Sequence, residues 1–252
     1  MAKSLVKATK LIKRYDSVNV VDGISFSINS GEVFGILGPN GAGKTTTLEM
    51  IEGLRSIDSG NASIDGVDVS KEPNKARYLI GVQPQSPAFQ DKTKASEVLD
   101  LFAAAYGVKV SSGDLLNKVS LSDKANTYTE NLSGGQLQRL SIAAALVHSP
   151  KVLFMDEPTT GLDPQARRNI WDLVKDIKKQ GITVVLTTHY MEEAEILCDR
   201  VAIMDRGKII AEDTPQNLIS GLLSRGFKKK RLVSQATLED VFIDLTGKEL
   251  RE

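Results

Sequence analysis

A glycine-rich run near the N-terminus carries residue types that bind phosphate. It reads GPNGAGKT over residues 38–45 and has the pattern G-x-x-x-x-G-K-[ST] of a phosphate-binding loop. The glycines let the backbone curl around an anion with its N–H groups pointing inward. Lys44 can then reach the outer phosphates, and the Thr45 hydroxyl can ligate Mg²⁺. The predicted nucleoside triphosphate site comprises Gly38, Pro39, Asn40, Gly41, Ala42, Gly43, Lys44, Thr45 and Thr46.

The elements on either side of this loop give the pattern its physical meaning. An apolar run at residues 33–37 is typical of a buried strand, and residues 45–54 are predicted to form a helix. The helix N-terminus adds a partial positive charge where the phosphates would lie. This context favours a phosphate site over the alternative, a glycine turn that enters a helix and binds nothing.

Two carboxylates follow a second apolar strand, Val152–Met155. A buried parallel strand presents its last side chains to a ligand at the carboxyl edge of the sheet. Asp156 is therefore suited to Mg²⁺, through water, and Glu157 to a general base that polarises an attacking water. The alternative is an ordinary strand followed by an acidic turn, and the phosphate-binding loop favours the catalytic interpretation.

A second anion-binding geometry occurs at residues 132–136, which read LSGGQ and precede a predicted Ala-rich helix at residues 137–147. Ser133 can cap that helix, and the two glycines expose its backbone N–H groups. One nucleotide does not need two such sites, so one of them is expected to act on a nucleotide held elsewhere. The simpler alternative is a Gly-Gly turn into a helix.

The remaining patterns predict the elements that position these groups. The first thirty residues alternate as strands with one exposed face do, residues 58–61 favour a turn before a short strand, and residues 96–147 have helical spacing. Residues 182–186 are predicted to be another buried parallel strand. A helix that Asp163 can cap precedes it and completes a βαβ unit.

Composition excludes several functional classes. The 252 residues include 32 basic and 32 acidic side chains, so bulk charge does not attract the chain to nucleic acid or acidic lipid. Cys198 is the only cysteine, which rules out an intrachain disulfide and favours a reducing compartment. Neither an apolar stretch long enough to span a bilayer nor a secretory signal is evident, so we expect a cytoplasmic protein.

Together these motifs resemble the nucleotide-binding subunit of an ATP-binding cassette (ABC) transporter. Residues 38–45 match its Walker A loop and residues 152–157 its Walker B strand with the adjacent glutamate. Residues 132–136 are identical to the signature that defines this family among P-loop proteins. Residues 161–163 match the D-loop, which contains Asp163, and residues 187–189 match the segment that ends in the switch histidine, His189.

Patterns and resemblance together predict an α/β fold. It comprises a P-loop NTPase core with a mainly parallel sheet, an N-terminal antiparallel β subdomain and an inserted α-helical subdomain at about residues 86–148. The resemblance extends from about residue 3 to residue 214. We therefore predict an ATPase domain at residues 1–214 and a short C-terminal tail at residues 215–252.

The resemblance implies ATP and Mg²⁺ as ligands and a head-to-tail dimer with an identical or related ABC ATPase. Each ATP would lie between the Walker A loop of one subunit and the signature of the other. The Ser133 hydroxyl and the Gly135 N–H would contact the γ-phosphate in trans, and His189 would contact it in cis. The signature residues implied to act in trans are Leu132, Ser133, Gly134, Gly135 and Gln136.

Two assignments that depend on the resemblance leave alternatives open. Tyr15 falls where the family has an aromatic residue that stacks on adenine, although a core tyrosine is the alternative. The family's glutamine loop has the form Ile-Gly-x-x-x-Gln, which here selects Gln85 over Gln83. Gln85 would ligate Mg²⁺ with Thr45 and Asp156, whereas His148 is interpreted as a structural residue.

Further resemblance concerns the branch of the family and its partners. Residues 190–195 and 237–247 look like the drug- and antibiotic-exporter branch, which implies a separate transmembrane permease and a position on the inner face of the cell membrane. The alternatives are a soluble ABC ATPase that acts on nucleic acid or ribosomes, or one in iron–sulfur assembly. The single cassette and balanced charge favour transport. The basic run at residues 228–231 would contact lipid headgroups or form a solvated loop.

Overall fold

The computed structural model describes residues 4–227, and the predicted features at residues 228–231 and 237–247 lie outside them. The strands of the described part are β1 (Ser4–Tyr15), β2 (Val18–Asn29), β3 (Val33–Leu37), β4 (Ser59–Ile64), β5 (Val67–Asp68), β6 (Ile80–Gln83), β7 (Val152–Asp156), β8 (Thr183–Thr188), β9 (Arg200–Asp205) and β10 (Lys208–Asp213). Its helices are α1 (Lys44–Ile51), α2 (Pro73–Leu79), α3 (Ala95–Tyr106), α4 (Ser112–Lys118), α5 (Gly134–Ala145), α6 (Pro164–Lys179), α7 (Met191–Leu197) and α8 (Pro215–Ser224).

These strands form two sheets that confirm the predicted α/β class. The first sheet is antiparallel with the order β2-β1-β4-β5. The second has the order β10-β9-β3-β8-β7-β6, and only β10 pairs antiparallel within it. Helices α3, α4 and α5 lie between β6 and β7 along the chain, together with two short 3₁₀ turns. The mainly parallel core, the antiparallel sheet and the helical insertion are therefore all present.

The burial of each strand follows its residue types. Every residue of β3, β7 and β8 is buried, as expected for parallel strands covered on both faces. Strand β1 instead alternates between buried and exposed residues along much of its length. The Phe26 ring of β2 stacks on the Phe34 ring of β3 at 5.5 Å between centroids, so the core is continuous between the two sheets.

Two local predictions were wrong. Residues 58–61 were expected to form a turn, but β4 already begins at Ser59 and pairs with β1 across an irregular register. Gly60 has φ of +89°, and a Cβ there would lie 2.2 Å from the Lys10 carbonyl oxygen. Gly60 therefore permits a β-bulge at this position. Helix α5 begins at Gly134, three residues before the predicted start, because Ser133 caps it there.

Contacts divide the chain into a compact unit that ends at Gln216 and a second unit that begins at Asn217. No helix within residues 4–227 combines the length and the apolar character needed to cross a bilayer.

Candidate functional site

The carboxyl ends of three neighbouring parallel strands define the site. Strand β8 lies between β3 and β7 in the sheet. The glycine-rich loop follows β3, Glu157 follows β7, and His189 follows β8. Ligands of open α/β sheets bind at this edge, and the topology brings together three motifs that are far apart in the sequence.

The loop that follows β3 leaves no space for side chains at two of its glycines. A Cβ on Gly38 would lie 2.2 Å from the Met204 carbonyl oxygen. Gly43 has φ of +98°, and a Cβ there would lie 2.5 Å from the Val20 carbonyl oxygen. Gly43 is also the N-cap of α1, so this helix begins directly after the loop. Substitution of either glycine is expected to displace the loop.

Lys44 is buried, with 5% of its surface exposed. The ammonium donates to the carbonyl oxygens of Gly38 at 2.9 Å and Pro39 at 3.2 Å. It also lies 3.1 Å from Glu157 Oε1. A bound phosphate would compete for this ammonium with a carboxylate that is already in contact with it.

Thr45 and Asp156 form a compact set of oxygen atoms beside the loop. The Thr45 hydroxyl lies 3.2 Å from Asp156 Oδ1 and 3.0 Å from Asp156 Oδ2. Asp156 is buried and also accepts a hydrogen bond from the Thr187 hydroxyl. Hard oxygen donors on rigid elements suit Mg²⁺, which takes one or two carboxylates and completes its shell with water and substrate phosphates. The residues present therefore fit a Mg²⁺ site. No group of three or more His, Cys, Asp or Glu side chains within residues 4–227 could hold a metal without such additional ligands.

The Glu157 carboxylate lies at the centre of a hydrogen-bond network. Its Oε2 atom accepts from Thr160 Oγ1 at 3.1 Å and from Gln85 Nε2 at 3.5 Å, and lies 3.1 Å from His189 Nδ1. Burial alone would raise the pKa of this carboxyl, but the hydrogen bonds and charges of Lys44 and His189 outweigh it and hold the pKa below its usual value. The group is therefore an ionised acceptor at neutral pH.

The backbone also fixes Glu157. Its φ of +46° is in the left-handed region, which is unusual for a residue with a side chain. Its N–H is held by the Thr187 hydroxyl at 2.9 Å and by the Thr187 carbonyl oxygen at 3.2 Å. Strain of this kind persists where the surroundings over-determine the conformation, and it aims the carboxylate at the loop.

A cavity of about 280 Å³ opens where these groups meet. It is lined by Val20, Asn40, Gly41, Gly43, Lys44, Thr45, Thr46, Gln85 and Glu157. Of the two candidate glutamines, Gln85 lines this cavity. Gln83 is fully buried, and its amide donates to the carbonyl of its own neighbour, Pro84. The geometry thus supports Gln85.

Tyr15 lies outside the lining of this cavity. Its side chain is 40% exposed, so the structure does not support the alternative of a core tyrosine. Its hydroxyl accepts a hydrogen bond from Arg55, whose Cζ lies 5.6 Å from the ring centroid. An exposed and tethered ring is available to stack on a planar base.

The signature residues form a separate helix N-terminus. Ser133 is exposed, and its hydroxyl accepts from the Gln136 N–H at 3.4 Å while Gln136 Oε1 accepts from the Ser133 N–H at 2.9 Å. Ser133 and Gly134 are both exposed at the start of α5. A Cβ on Gly135 would lie 2.9 Å from the Ala166 Cβ, so the glycine also permits α5 to pack against α6. None of these residues lines the cavity beside Lys44.

Asp163 and His148 both have local structural partners. The Asp163 carboxylate accepts from the Ala166 N–H at 2.8 Å and caps α6. His148 Nε2 contacts the Ile80 carbonyl oxygen at 2.8 Å, and its ring stacks on Tyr106. Burial lowers the pKa of His148, although the bond to Ile80 partly opposes this effect. These contacts agree with the structural interpretation of His148.

Sequence reasoning missed the role of Thr187. Its hydroxyl bonds to both Asp156 and the Glu157 N–H, so it organises the two carboxylates. The register pairs Asp156 with Thr187 across β7 and β8. The sequence does place a hydroxyl residue at the end of a predicted strand. Only the order of the strands in the sheet shows which carboxylate that hydroxyl contacts.

Comparison with protein families then decides the identity. Residues 21–160 match the ABC transporter family, which is more than half of the chain. The chain belongs to the ABC transporter family. Its relatives include a linearmycin resistance ATP-binding protein of Bacillus subtilis (strain 168), which is 44% identical over 223 residues, 86% of this chain and 72% of the relative. A Nod factor export ATP-binding protein I of Ralstonia nicotianae is 44% identical over 215 residues, which are 83% of this chain and 67% of the relative.

Solved structures agree with this membership of the ABC family. The structure of CbiO1 from Clostridium perfringens, part of the ABC transporter complex CbiONQ, superposes with a TM-score of 0.78 at 30% identity and covers 88% of this chain and 94% of that one. A dimeric cassette in a post-hydrolysis state with ADP and phosphate superposes with a TM-score of 0.76 at 28% identity. The superposition covers 84% of this chain and 99% of that one. This ABC ATPase therefore has the fold of nucleotide-binding subunits, and its family binds and hydrolyses ATP.

Proposed function

We propose that this ABC ATPase hydrolyses Mg-ATP and thereby drives export through a separate transmembrane permease. The observation that carries the proposal is the convergence of Lys44, Thr45, Asp156, Glu157 and His189 on one edge of the parallel sheet. This set combines a phosphate cradle, hard oxygen ligands and an ionised base. We assign residues 1–214 to the ATPase domain and residues 215–252 to a tail.

The chain's own residues supply positioning, charge and a proton acceptor. The N–H groups of residues 38–46 hold the phosphates, and the ammonium of Lys44 turns from Glu157 to the outer phosphates when ATP binds. Glu157 then accepts the proton of a water whose oxygen attacks the γ-phosphorus, as the bond to ADP breaks. His189 contacts the γ-phosphate and keeps the water aligned with Glu157. Tyr15 stacks on adenine.

Mg²⁺ is proposed as the cofactor that neutralises charge on the β- and γ-phosphates when bound. Thr45 and Asp156 would hold it, with Gln85 as a further oxygen donor. The Thr187 hydroxyl donates a hydrogen bond to Asp156 Oδ1 and so helps to orient this carboxylate. We expect no hydrolysis in the presence of excess chelator.

The exposed position of the signature supports a site that is completed by a second subunit. Ser133 and the N–H groups of Gly134 and Gly135 lie outside the cavity that Lys44 lines, so in one chain they do not contact the same phosphate. We propose a head-to-tail dimer in which Leu132 to Gln136 of the partner subunit complete the site. The dimeric ADP-bound cassette among the structural neighbours supports this arrangement. Two ATP molecules between the subunits would favour the closed state by mass action.

The relatives support an export role. One is named for linearmycin resistance and one for Nod factor export, and a structural neighbour is part of a transporter complex. By this similarity the permease is a separate chain, and the ATPase acts at the cytoplasmic face of the membrane. No nucleic acid partner is proposed, because the charge is balanced and the named relatives are transport proteins.

The experiment that tests this proposal combines an assay with a pull-down. The tagged chain is expressed in its native host, purified in detergent and assayed for phosphate release with Mg-ATP. We expect Mg-dependent hydrolysis and co-purification of a polytopic membrane protein. Hydrolysis together with recovery of ribosomal or iron–sulfur assembly proteins instead would contradict the export role, and absence of hydrolysis would contradict the proposal as a whole.

A further inference from the structure

Tyr190 lies between His189 and helix α6. The ring centroids of Tyr190 and His189 are 4.1 Å apart, with the planes inclined by 39°. On the other side, Arg167 Cζ lies 4.5 Å from the Tyr190 ring centroid. Since His189 Nδ1 is 3.1 Å from Glu157 Oε2, these side chains form a continuous series of contacts from α6 to the proposed base.

The local backbone explains why the two consecutive rings touch. Neighbouring side chains of an extended strand point to opposite faces. Here β8 ends at Thr188, whose hydroxyl accepts the Tyr190 N–H at 2.9 Å and stabilises a turn before α7. The turn places the Tyr190 ring beside the imidazole, where it restricts rotation of His189.

Arg167 supports this ring from helix α6. A guanidinium group above an aromatic face is attracted by the ring quadrupole. The Arg167 Nε atom is buried and has no hydrogen-bond partner among residues 4–227. The guanidinium packs on the Tyr190 ring, and its charge also favours the ionised form of the buried Glu193. The contact also connects His189 with the first turn of α6, next to the D-loop.

We propose that Tyr190 is a positioning residue for His189 and that Arg167 holds it in place. The inference rests on the function proposed above, in which His189 contacts the γ-phosphate. An imidazole acts through two nitrogens, and the orientation that holds Nδ1 at Glu157 also decides where Nε2 points. Loss of the Tyr190 ring frees the imidazole to rotate. The catalytic rate then falls, whereas ATP affinity, which the loop at residues 38–46 provides, is retained.

The test compares variants of the full chain in single-turnover and equilibrium assays. Tyr190→Ala is expected to lower the hydrolysis rate about tenfold and to change the Kd for ATP less than twofold. Tyr190→Phe keeps the ring and should restore most of the rate. Arg167→Met should lower the rate about threefold. Arg168→Met is the matched control, because Arg168 is the exposed neighbour on the same helix and has no ring contact within the described residues.

The effect must also depend on His189. In a His189→Ala background, Tyr190→Ala should cause no further fall in rate, because the two residues act as one unit. The inference is overturned if Tyr190→Ala lowers the rate equally with and without His189. It is also overturned if Tyr190→Ala leaves the rate unchanged in a chain that keeps His189. If Tyr190→Ala does not fold, Arg167→Met is measured with and without His189 instead, and the same two results overturn the inference. A wild-type chain without hydrolysis would instead refute the proposed function.

Discussion

At the scale of single residues, the lysine of the loop and the proposed base already contact each other. Lys44 Nζ lies 3.1 Å from Glu157 Oε1, and both side chains are buried. ATP binding must therefore separate an existing ion pair. In the proposed mechanism, Glu157 is therefore both the base and a competitor of the phosphates for Lys44.

Glu157→Gln is expected to separate these two roles. The amide removes the proton acceptor, so turnover should fall by about 10²–10⁴-fold. It also removes the negative charge that competes for Lys44, so the Kd for ATP should stay the same or fall. Phosphate release and equilibrium nucleotide binding measure the two effects. Normal steady-state hydrolysis by this variant would eliminate Glu157 as the base.

The depressed pKa of Glu157 also predicts a pH dependence of stability. A carboxyl whose folded-state pKa lies below its unfolded value of 4.5 stabilises the fold above that value. The contribution is lost as pH falls through the lower, folded-state pKa. Chemical denaturation between pH 3 and pH 7 should therefore show a weaker acid dependence in Glu157→Gln than in the wild type. Parallel curves for both proteins would show that Lys44 and His189 do not lower this pKa.

The sequence predicts residue types at this scale but not their partners. The glycines and Lys44 follow from the spacing of the loop motif, and Asp156 and Glu157 follow from their position after a predicted buried strand in a chain that carries this loop. The bond from Thr187 to Asp156 and the packing of Tyr190 on Arg167 do not, since they depend on strand order and on the start of α6.

At the scale of elements, helix ends organise the motifs. Helix α1 begins in the phosphate loop, α5 begins at Ser133, and α6 begins at Asp163. The cap of α6 was predictable, because Asp before Pro is a strong helix-start signal. The cap of α5 by Ser133 was predicted, although the helix begins at Gly134 and not at the predicted residue 137. The extended β4 was missed, since it depends on a bulge opposite Lys10.

Asp163→Ala removes the cap of α6 and should lower the free energy of unfolding by about 1 kcal/mol. The reason is that the Ala166 N–H loses its acceptor at 2.8 Å. Asp163→Asn is the matched control, because its amide oxygen can still accept that hydrogen bond. Urea denaturation measures both variants, and equal losses for Ala and Asn would show that the charge, not the cap, matters.

Ser133→Arg tests the role of the helix that begins at the signature. The bulky cation should leave ATP binding to the single chain intact, since residue 133 does not line the cavity beside Lys44. It should reduce hydrolysis to near background, because the partner's site would not close. Nucleotide titration and phosphate release report the two effects. Full activity of Ser133→Arg would exclude a role of the signature in trans.

At the scale of the whole molecule, the proposed dimer accounts for two anion-binding helix ends, at Gly43 and Ser133, on one chain. The fold class and the family followed from sequence motifs, and sheet order and family comparison confirm them. Contacts divide the chain between Gln216 and Asn217, and the assignment of residues 1–214 to an ATPase domain stays a prediction. On the proposed export function, we expect the specificity for the transported substrate to lie in the permease.

The central claim is that two subunits share each triphosphate, and the molar mass of the Glu157→Gln variant tests it most directly. Size-exclusion chromatography with light scattering should give the mass of two chains with Mg-ATP and of one chain with Mg-ADP. Adding Ser133→Arg to this variant should return the mass to one chain in Mg-ATP. A single-chain mass for Glu157→Gln saturated with Mg-ATP, or a dimer that tolerates Ser133→Arg, would contradict the account.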